Sequence, residues 1–537
     1  MVTSLMTPFQ KTCGLFFGLY FSLCAACFFP KSTGFSEEWL LPKWYLTIMV
    51  STIIVMTEAV LRTKLSPVRI PRVFLFSIAL SVTIFLESLY ALITFFFQNE
   101  TEKTGISGTF DNPAGLALCL CLSLPFMYHV AQKSRRKTMR AIQFVTIIPA
   151  VAALWLSQSR TGLLCFAGFL TIMACTHPKA GKKTKAAIIV STCAGALLFT
   201  VTRKQDSSNG RWFILERSWE LITQNPWMGH GRGGFEREYM LVQAEYFASH
   251  PNSDYAWLAD EVRHPLNEFV LAWINYGVAA PIMLVLSFVV AIVTLAGGKN
   301  GFSPALACSL AALFLFACFS YPFKYPLSWV MASLAPACLW TGRLSDIFHK
   351  RVQRAFPAIL WGCSAIILTG LATEYHYDRK WSRAAQLALH GQSARAMPVY
   401  SDLYRHYARN PYFLYNYAAE LFYAGHFHVA LQIAEECRTY CASYNLELLT
   451  GDIFRHLKQY RKAHTHYQLA AHMCPVRFAP LEGMYLAYKA SGNIHKADSV
   501  ANIIQTKKIK VISPEIIRIK NATNRKKPIT NSQGKQN

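Results

Sequence analysis

The sequence predicts an all-α protein: a polytopic helical membrane domain of about eleven spans with one large loop, followed by an α-solenoid. Three observations lead there. Of the 537 residues, 53% are hydrophobic and only 15% charged, against about a quarter charged in soluble proteins. The apolar residues fall in runs of about 17 to 27, the length that crosses a bilayer as a helix. Beyond residue 373 these runs give way to amphipathic, Tyr- and Ala-rich sequence in which alanines recur at 396, 430, 463 and 497.

Taken in order, the expected spans are 12–29, 45–61, 73–97, 114–131, 141–157, 161–176, 186–202, 269–295, 302–320, 326–341 and 355–372. The first is read as a retained helix, because further spans follow it directly without a convincing cleavage site. Connecting loops alternate in charge. Arg62, Lys64, Arg69 and Arg72 share one; Lys133, Arg135, Arg136, Lys137 and Arg140 share the second after it. Lys179, Lys182, Lys183 and Lys185 come two loops later, then Lys299, then Arg343, Lys350, Arg351 and Arg354. Cytoplasmic loops are enriched in Lys and Arg. The alternation therefore puts the N-terminus in the cytoplasm, and the large loop and everything after 373 on the opposite side.

The formal charge of +25 sits largely in these loops and in the C-terminal tail, so it reports topology and not a nucleic-acid partner. Of the 15 cysteines, many lie inside apolar runs, as in LCAAC (23–27) and CLC (119–121). They read as small buried hydrophobes and offer no zinc or disulfide spacing.

The polar interval 203–268 carries six arginines and one lysine against ten Asp and Glu. Arginine grips phosphate or carboxylate with a flat two-pronged fork, whereas lysine is a point charge. Arg211 opens GRWFILERSWELI (210–222), whose Trp212, Leu215, Trp219 and Ile222 fall on one helical side, and Arg217 follows within it. At the start of such a helix, free backbone N–H groups also attract anions. NPWMGHGRGGF (225–235) surrounds Arg232 with glycines: a tight turn on one reading, a backbone able to approach a bulky ligand on the other. HPLNEF (264–269) spaces His264, Asn267 and Glu268 three and four apart, on one face if the helix has begun. An imidazole there can take a proton from an attacking hydroxyl; equally, Asn267 or Glu268 can simply cap the helix. No metal site is read, since His250 and His264 lack a third ligand at useful spacing.

Three further signals sit at span ends. Asn112-Pro113 opens the fourth span within GTFDNPAG, as suits a first helical turn. Arg160 lies in SQSRTG (157–162), with Ser157, Ser159 and Thr161 beside it. It is a snorkelling anchor or, with those hydroxyls, a phosphate ligand. Glu58 and Glu87 fall within spans, where a carboxylate is a functional suspect by default.

The set GTFDNPAG, SRTGLL, GRW…NPWMGHGRGGF and HPLNEFVLAWINYG, over roughly 108–280, resembles the O-antigen ligase / Wzy_C superfamily of bacterial membrane glycosyltransferases. That superfamily includes lipopolysaccharide O-antigen ligases, O-linked protein oligosaccharyltransferases and O-antigen polymerases. The resemblance implies an undecaprenyl-diphosphate-linked glycan donor, arginines that bind the diphosphate, a periplasmic histidine that assists the acceptor hydroxyl, and neither metal nor cofactor. By motif position, Arg160, Arg211 and His264 are the catalytic candidates. Arg217, Arg232, Asn267, Glu268, Ser159 and Asn112 are the candidates for substrate binding. The acceptor is lipid A core or a protein hydroxyl, and the location is the bacterial inner membrane, with the loop and repeats periplasmic. The alternatives are a repeat-unit polymerase and a non-enzymatic permease or scaffold.

In the C-terminal half the alanines recur at intervals of 34, 33 and 34 residues. GDIFRHLKQYRKAHTHYQLAAHMCP (451–475) places Gly451, Phe454, Ala463, Tyr467, Ala470 and Pro475 as tetratricopeptide repeats do. The expected domains are 1–372 (loop 203–268), repeats at 373–505 able to dock a protein or peptide partner, and a basic, disordered tail at 506–537. Membrane lipids are the remaining expected partner.

Overall fold

The computed structural model describes residues 8–64, 72–97, 105–134, 137–176, single positions between 181 and 190, 205–298, 302–343 and 350–524. Among these the fold is all-α, with 21 α-helices and no strand. The chain divides into two compact units.

The first unit, Met1–Arg203, Leu266–Phe269 and Ile282–Arg383, holds the apolar helices. These are α1 (Pro8–Phe28), α2 (Leu41–Lys64), α3 (Arg72–Phe97), α4 (Pro113–Lys133), α5 (Lys137–Leu156) and α6 (Arg160–Thr176). Later in the chain come α11 (Phe302–Phe319), α12 (Pro326–Arg343) and the first part of a 40-residue helix, α13 (Lys350–Leu389). Its core is built round α4, which packs against α3, α5, α6, α11 and α12. Small residues make that crowding possible: Gly115, Ala117, Cys119, Cys121 and Ser123 let neighbouring backbones close in. Ser309 donates to the Leu122 carbonyl at 2.6 Å, and Cys121 to the Gly162 carbonyl at 3.3 Å.

Among the described residues, six helices are long and apolar enough to cross a membrane, and four shorter apolar helices, Thr12–Phe28, Gln143–Leu156, Arg160–Met173 and Pro326–Cys338, coincide with four further expected spans. Of the expected span 186–202, all but 186, 187 and 190 lie outside the described residues. Leu286, Val290 and Val293 are exposed on a helix with almost no polar residue, a surface suited to lipid and not to water.

One expected span is not a single helix. The run 269–295 is broken into α9 (Glu268–Tyr276) and α10 (Ala279–Ala296). The break falls at Gly277, whose φ of 77° ends the helix in a left-handed conformation.

The second unit comprises Lys204–Pro265, Val270–Pro281 and Ala384–Asn537. The polar loop does not belong with the apolar helices by contact; it shares a unit with the C-terminal half. Its helices are α7 (Gln205–Gln224) and α8 (Gly234–Ser249). The C-terminal helices follow as α14 (Ser393–Tyr407), α15 (Pro411–Tyr423), α16 (Phe427–Arg438), α17 (Tyr444–His456), α18 (Tyr460–Met473), α19 (Ala479–Ala490) and α20 (Ile494–Thr506). Leu221, Phe235, Tyr239 and Met240 from the loop form one core with Tyr444, Ala470 and Met473. The boundary expected at 372/373 falls inside α13.

Helices α14 to α20 pack mainly on their chain neighbours. Ala396, Ala430, Ala463 and Ala497 are all buried, as close helix crossings require. A Cβ on Gly451 would come within 2.6 Å of the Tyr467 ring, and one on Gly483 would strike the same ring. The tail reading also needs correction. Residues 514–523 form α21 (Pro514–Thr523), capped by Ser513 and packed through the buried Ile519. Arg518 pairs with both oxygens of Glu482 at 2.7 and 2.8 Å. Residues 525–537 lie outside the described residues.

Candidate functional site

In the first unit, the turn between α11 and α12 collects three of the sequence-predicted residues. Asn112 caps α4: its Oδ1 accepts from Gly115 N at 2.8 Å, while Nδ2 donates to the Tyr321 and Tyr325 hydroxyls at 3.1 and 2.9 Å. Asn267 Nδ2 donates to the Cys318 carbonyl at 2.9 Å, and Glu268 Oε1 accepts from Phe323 N at 3.4 Å. Sequence reasoning missed the other members. Asp111 accepts from Tyr325 Oη at 2.8 Å and pairs with Lys324 Nζ at 2.8 Å. Trp44 and Trp329 donate their indole N–H groups to the Lys324 and Phe323 carbonyls. Nothing in the one-dimensional pattern ties 111–112 to 321–325, because the two segments are over 200 residues apart.

Arg160 is the first residue of α6 and half-buried. The turn before it is tightly wired: Ser159 Oγ accepts from Gly162 N at 3.2 Å, Ser157 Oγ accepts from Ser159 N at 3.3 Å, and Gln158 has φ 51°. Ser159 is thus occupied in capping the helix that Arg160 opens. The two intramembrane suspects are also engaged. Glu58 pairs with Arg72 at 2.5 Å, and Glu87 accepts from Thr109 N and Oγ1 at 2.8 and 3.0 Å.

In the second unit, α7 is helical from Gln205 onward, so Arg211 lies in its second turn and not at its N-terminus. The expected contribution of free backbone N–H groups at Arg211 is therefore absent; its exposed guanidinium acts as a side chain alone. Arg217 is different again. It is 8% exposed, pairs with Glu216 at 2.7 Å and Glu220 at 2.5 Å, and stacks 4.4 Å over the Tyr246 ring. Its charge is balanced by these neighbours.

The glycine-rich stretch resolves into two halves. Pro226 O accepts from Val278 N at 3.0 Å and from Trp273 Nε1 at 2.9 Å; His230 N donates to the Ile274 carbonyl at 2.7 Å. This backbone fills the break after α9. A Cβ on Gly229 would lie 2.6 Å from Gly277 N, and one on Gly277 would overlap the Trp227 carbonyl. By contrast Gly231 and Gly233, at φ 84° and 75°, face open space on either side of the exposed Arg232. Arg232 makes no ion pair among the described residues.

His264 is half-buried and precedes the helix. Because α9 begins at Glu268 and Leu266 has φ 57°, the single helical face expected for His264, Asn267 and Glu268 does not form. The capping reading describes Asn267, whose Oδ1 accepts from Phe269 N at 2.9 Å. A residue the sequence did not single out faces the histidine electrostatically: Glu236, in the first turn of α8. Burial pushes its carboxyl above the usual range, and the positive field of Arg263 and His264 pulls it back. Of the three catalytic candidates, Arg160 belongs to the first unit, and Arg211 and His264 to the second.

These features define a multi-pass helical membrane protein whose polar, arginine-bearing loop folds together with its C-terminal helical pairs. Residues 144–285 match the family model of the O-antigen ligases, Wzy_C, and this match supports a membrane glycan-transfer function of the ligase type. The match covers Arg160, Arg211, Arg217, Arg232, His264, Asn267 and Glu268 and leaves out GTFDNPAG and the C-terminal helical pairs. No curated protein matches the chain.

Proposed function

We propose that this protein transfers a glycan from a polyprenyl diphosphate to an acceptor hydroxyl at the periplasmic face of the bacterial inner membrane. The carrying observation is that Arg160, Arg211 and His264 all fall inside the stretch that matches the O-antigen ligases. Outside the cytoplasm sugars arrive activated on lipid, and the diphosphate leaves as an anion when the anomeric C–O bond breaks. Guanidinium groups placed where that charge develops stabilise the transition state, each typically by about 3 kcal/mol. His264 takes the proton from the acceptor hydroxyl as its oxygen bonds to the anomeric carbon. Glu236 offsets the imidazolium charge that results. The acceptor is lipid A core or a protein Ser/Thr. The C-terminal helical pairs, spaced as tetratricopeptide repeats, lie on the periplasmic side.

Glycan profiling of lipid A and of periplasmic proteins in a deletion strain tests this. One of the two pools loses its glycan, and the wild-type gene restores it, whereas His264→Ala and Arg211→Ala do not. Normal glycans in both pools would refute the reading. For the topology, a cysteine at the exposed Lys489 reacts with a membrane-impermeant maleimide in cells whose outer membrane alone is permeabilised; protection there would refute it.

A further inference from the structure

The stretch that delivers His264, residues 259–265, is neither helix nor strand, so no ladder of backbone bonds fixes it. Fixing a backbone residue costs about 1–2 kcal/mol, and a proton acceptor displaced by an ångström loses on the order of a hundredfold in rate. Something must hold this stretch, and side chains from two sides do so.

From the loop, Gln243, wholly buried on α8, donates through one amide nitrogen to the Asp260 carbonyl at 3.0 Å and to the Met473 carbonyl at 2.6 Å. Val262 N contacts the Met240 sulfur at 3.4 Å. From the C-terminal helical pairs, Arg477 donates to Asp260 Oδ1 at 2.8 Å. Ser443 Oγ and Asn445 Nδ2 donate to the two oxygens of Glu261 at 2.9 and 3.3 Å, and Tyr412 lies under the Arg263 guanidinium at 5.1 Å. The C-terminal helical pairs thus reach three of the four residues that precede His264, Asp260, Glu261 and Arg263. Beside them, Ala442 N donates to the Glu236 carbonyl at 2.9 Å, fixing the turn that carries the Glu236 carboxyl.

We propose that the C-terminal helical pairs are a positioning element for His264, seating residues 260–263 so that the imidazole meets the acceptor hydroxyl. The inference rests on the proposed role of His264. It departs from the expectation of a free docking face, because Tyr412, Ser443, Asn445 and Arg477 already hold the protein's own loop.

The test uses the full-length protein in detergent micelles or nanodiscs, with Glu261→Ala, the pair Ser443→Ala/Asn445→Ala, and the combination of all three. Two readouts are taken: the rate at which diethyl pyrocarbonate modifies His264, followed by peptide mass spectrometry, and glycan transfer resolved into kcat and donor KM. Glu261→Ala and the repeat-side pair each raise the modification rate and lower kcat about tenfold, with donor KM nearly unchanged. The combination does no more than Glu261→Ala alone, because Ser443 and Asn445 both act through that carboxylate. If Glu261→Ala fails to accumulate in membranes, the exposed Asn445→Ala carries the same comparison. An unchanged modification rate, or effects that simply add, overturns the proposal. Should the wild type transfer no glycan at all, the functional reading falls, and the His264 modification rates still decide this one.

Discussion

Replacing Gly277 by alanine should damage the protein far more than replacing Gly231, although both glycines have φ near 80°. An L-residue in that conformation costs roughly 1–2 kcal/mol, and at Gly231, where nothing lies within 4 Å of the new methyl, that is the whole effect. At Gly277 the methyl meets the Trp227 carbonyl, a backbone atom that cannot rotate away. The 226–230 segment must then lift off, giving up the Pro226 bonds to Val278 N and Trp273 Nε1 and the His230 bond to Ile274. At about 1 kcal/mol each, the total approaches roughly 4–5 kcal/mol. For a domain of this size 1 kcal/mol moves Tm by about 2–4 °C, so Gly231→Ala should lower it by at most about 8 °C and Gly277→Ala by about 8–20 °C. Thermal ramps of the purified protein at one scan rate, followed by tryptophan fluorescence, measure this, with Trp227 and Trp273 sitting at the disrupted contact. Equal midpoints for the two variants would refute the reading of this glycine pair as a backbone dock.

Arg217→Ala should destabilise the fold by about 1–2 kcal/mol through loss of the stacking on Tyr246, visible as a lower Tm whether or not donor is present; an unchanged Tm with weakened donor binding would instead make Arg217 a ligand. Arg211→Ala, exposed on α7, should reduce transfer a hundredfold or more, on the order of one lost transition-state donor; near-normal transfer would remove Arg211 from the diphosphate site. Glu236 holds its proton more tightly folded than its ordinary value of 4.5 allows, so above that pH the folded state binds more protons than the unfolded chain and stability falls as pH rises. Glu236→Gln should flatten the dependence of Tm on pH above about 4.5, and an unaltered slope would contradict the burial of that carboxyl. Gly451→Ala should destabilise the fold by about 1–3 kcal/mol through overpacking against Tyr467, read as a lower Tm; an unchanged Tm would refute a close α17–α18 crossing at this glycine.

What the sequence determined by itself is what repeats locally. An apolar run of span length, a small residue every 34 positions and a Pro or Asn at a helix start each act through neighbours a few residues away. For that reason the apolar helices, the buried alanines from Ala396 to Ala497 and the helix start at Pro113 were legible in advance. Arg160, Arg211 and His264 were visible as residue types, but their surroundings were not. Only the tertiary structure decided that Gly277 ends a helix inside an unbroken apolar run, because the cause is the carbonyl of Trp227, fifty residues earlier. It likewise decided that Arg217 lies balanced beneath Tyr246, that α21 packs on α20 where the composition suggests disorder, and that the loop shares its core with helices over 200 residues later. Hydrogen bonds such as Gln243 to Met473 join positions 230 residues apart. Periodicity carries no information about such pairs, since contact across a core depends on which surfaces meet after the chain has collapsed.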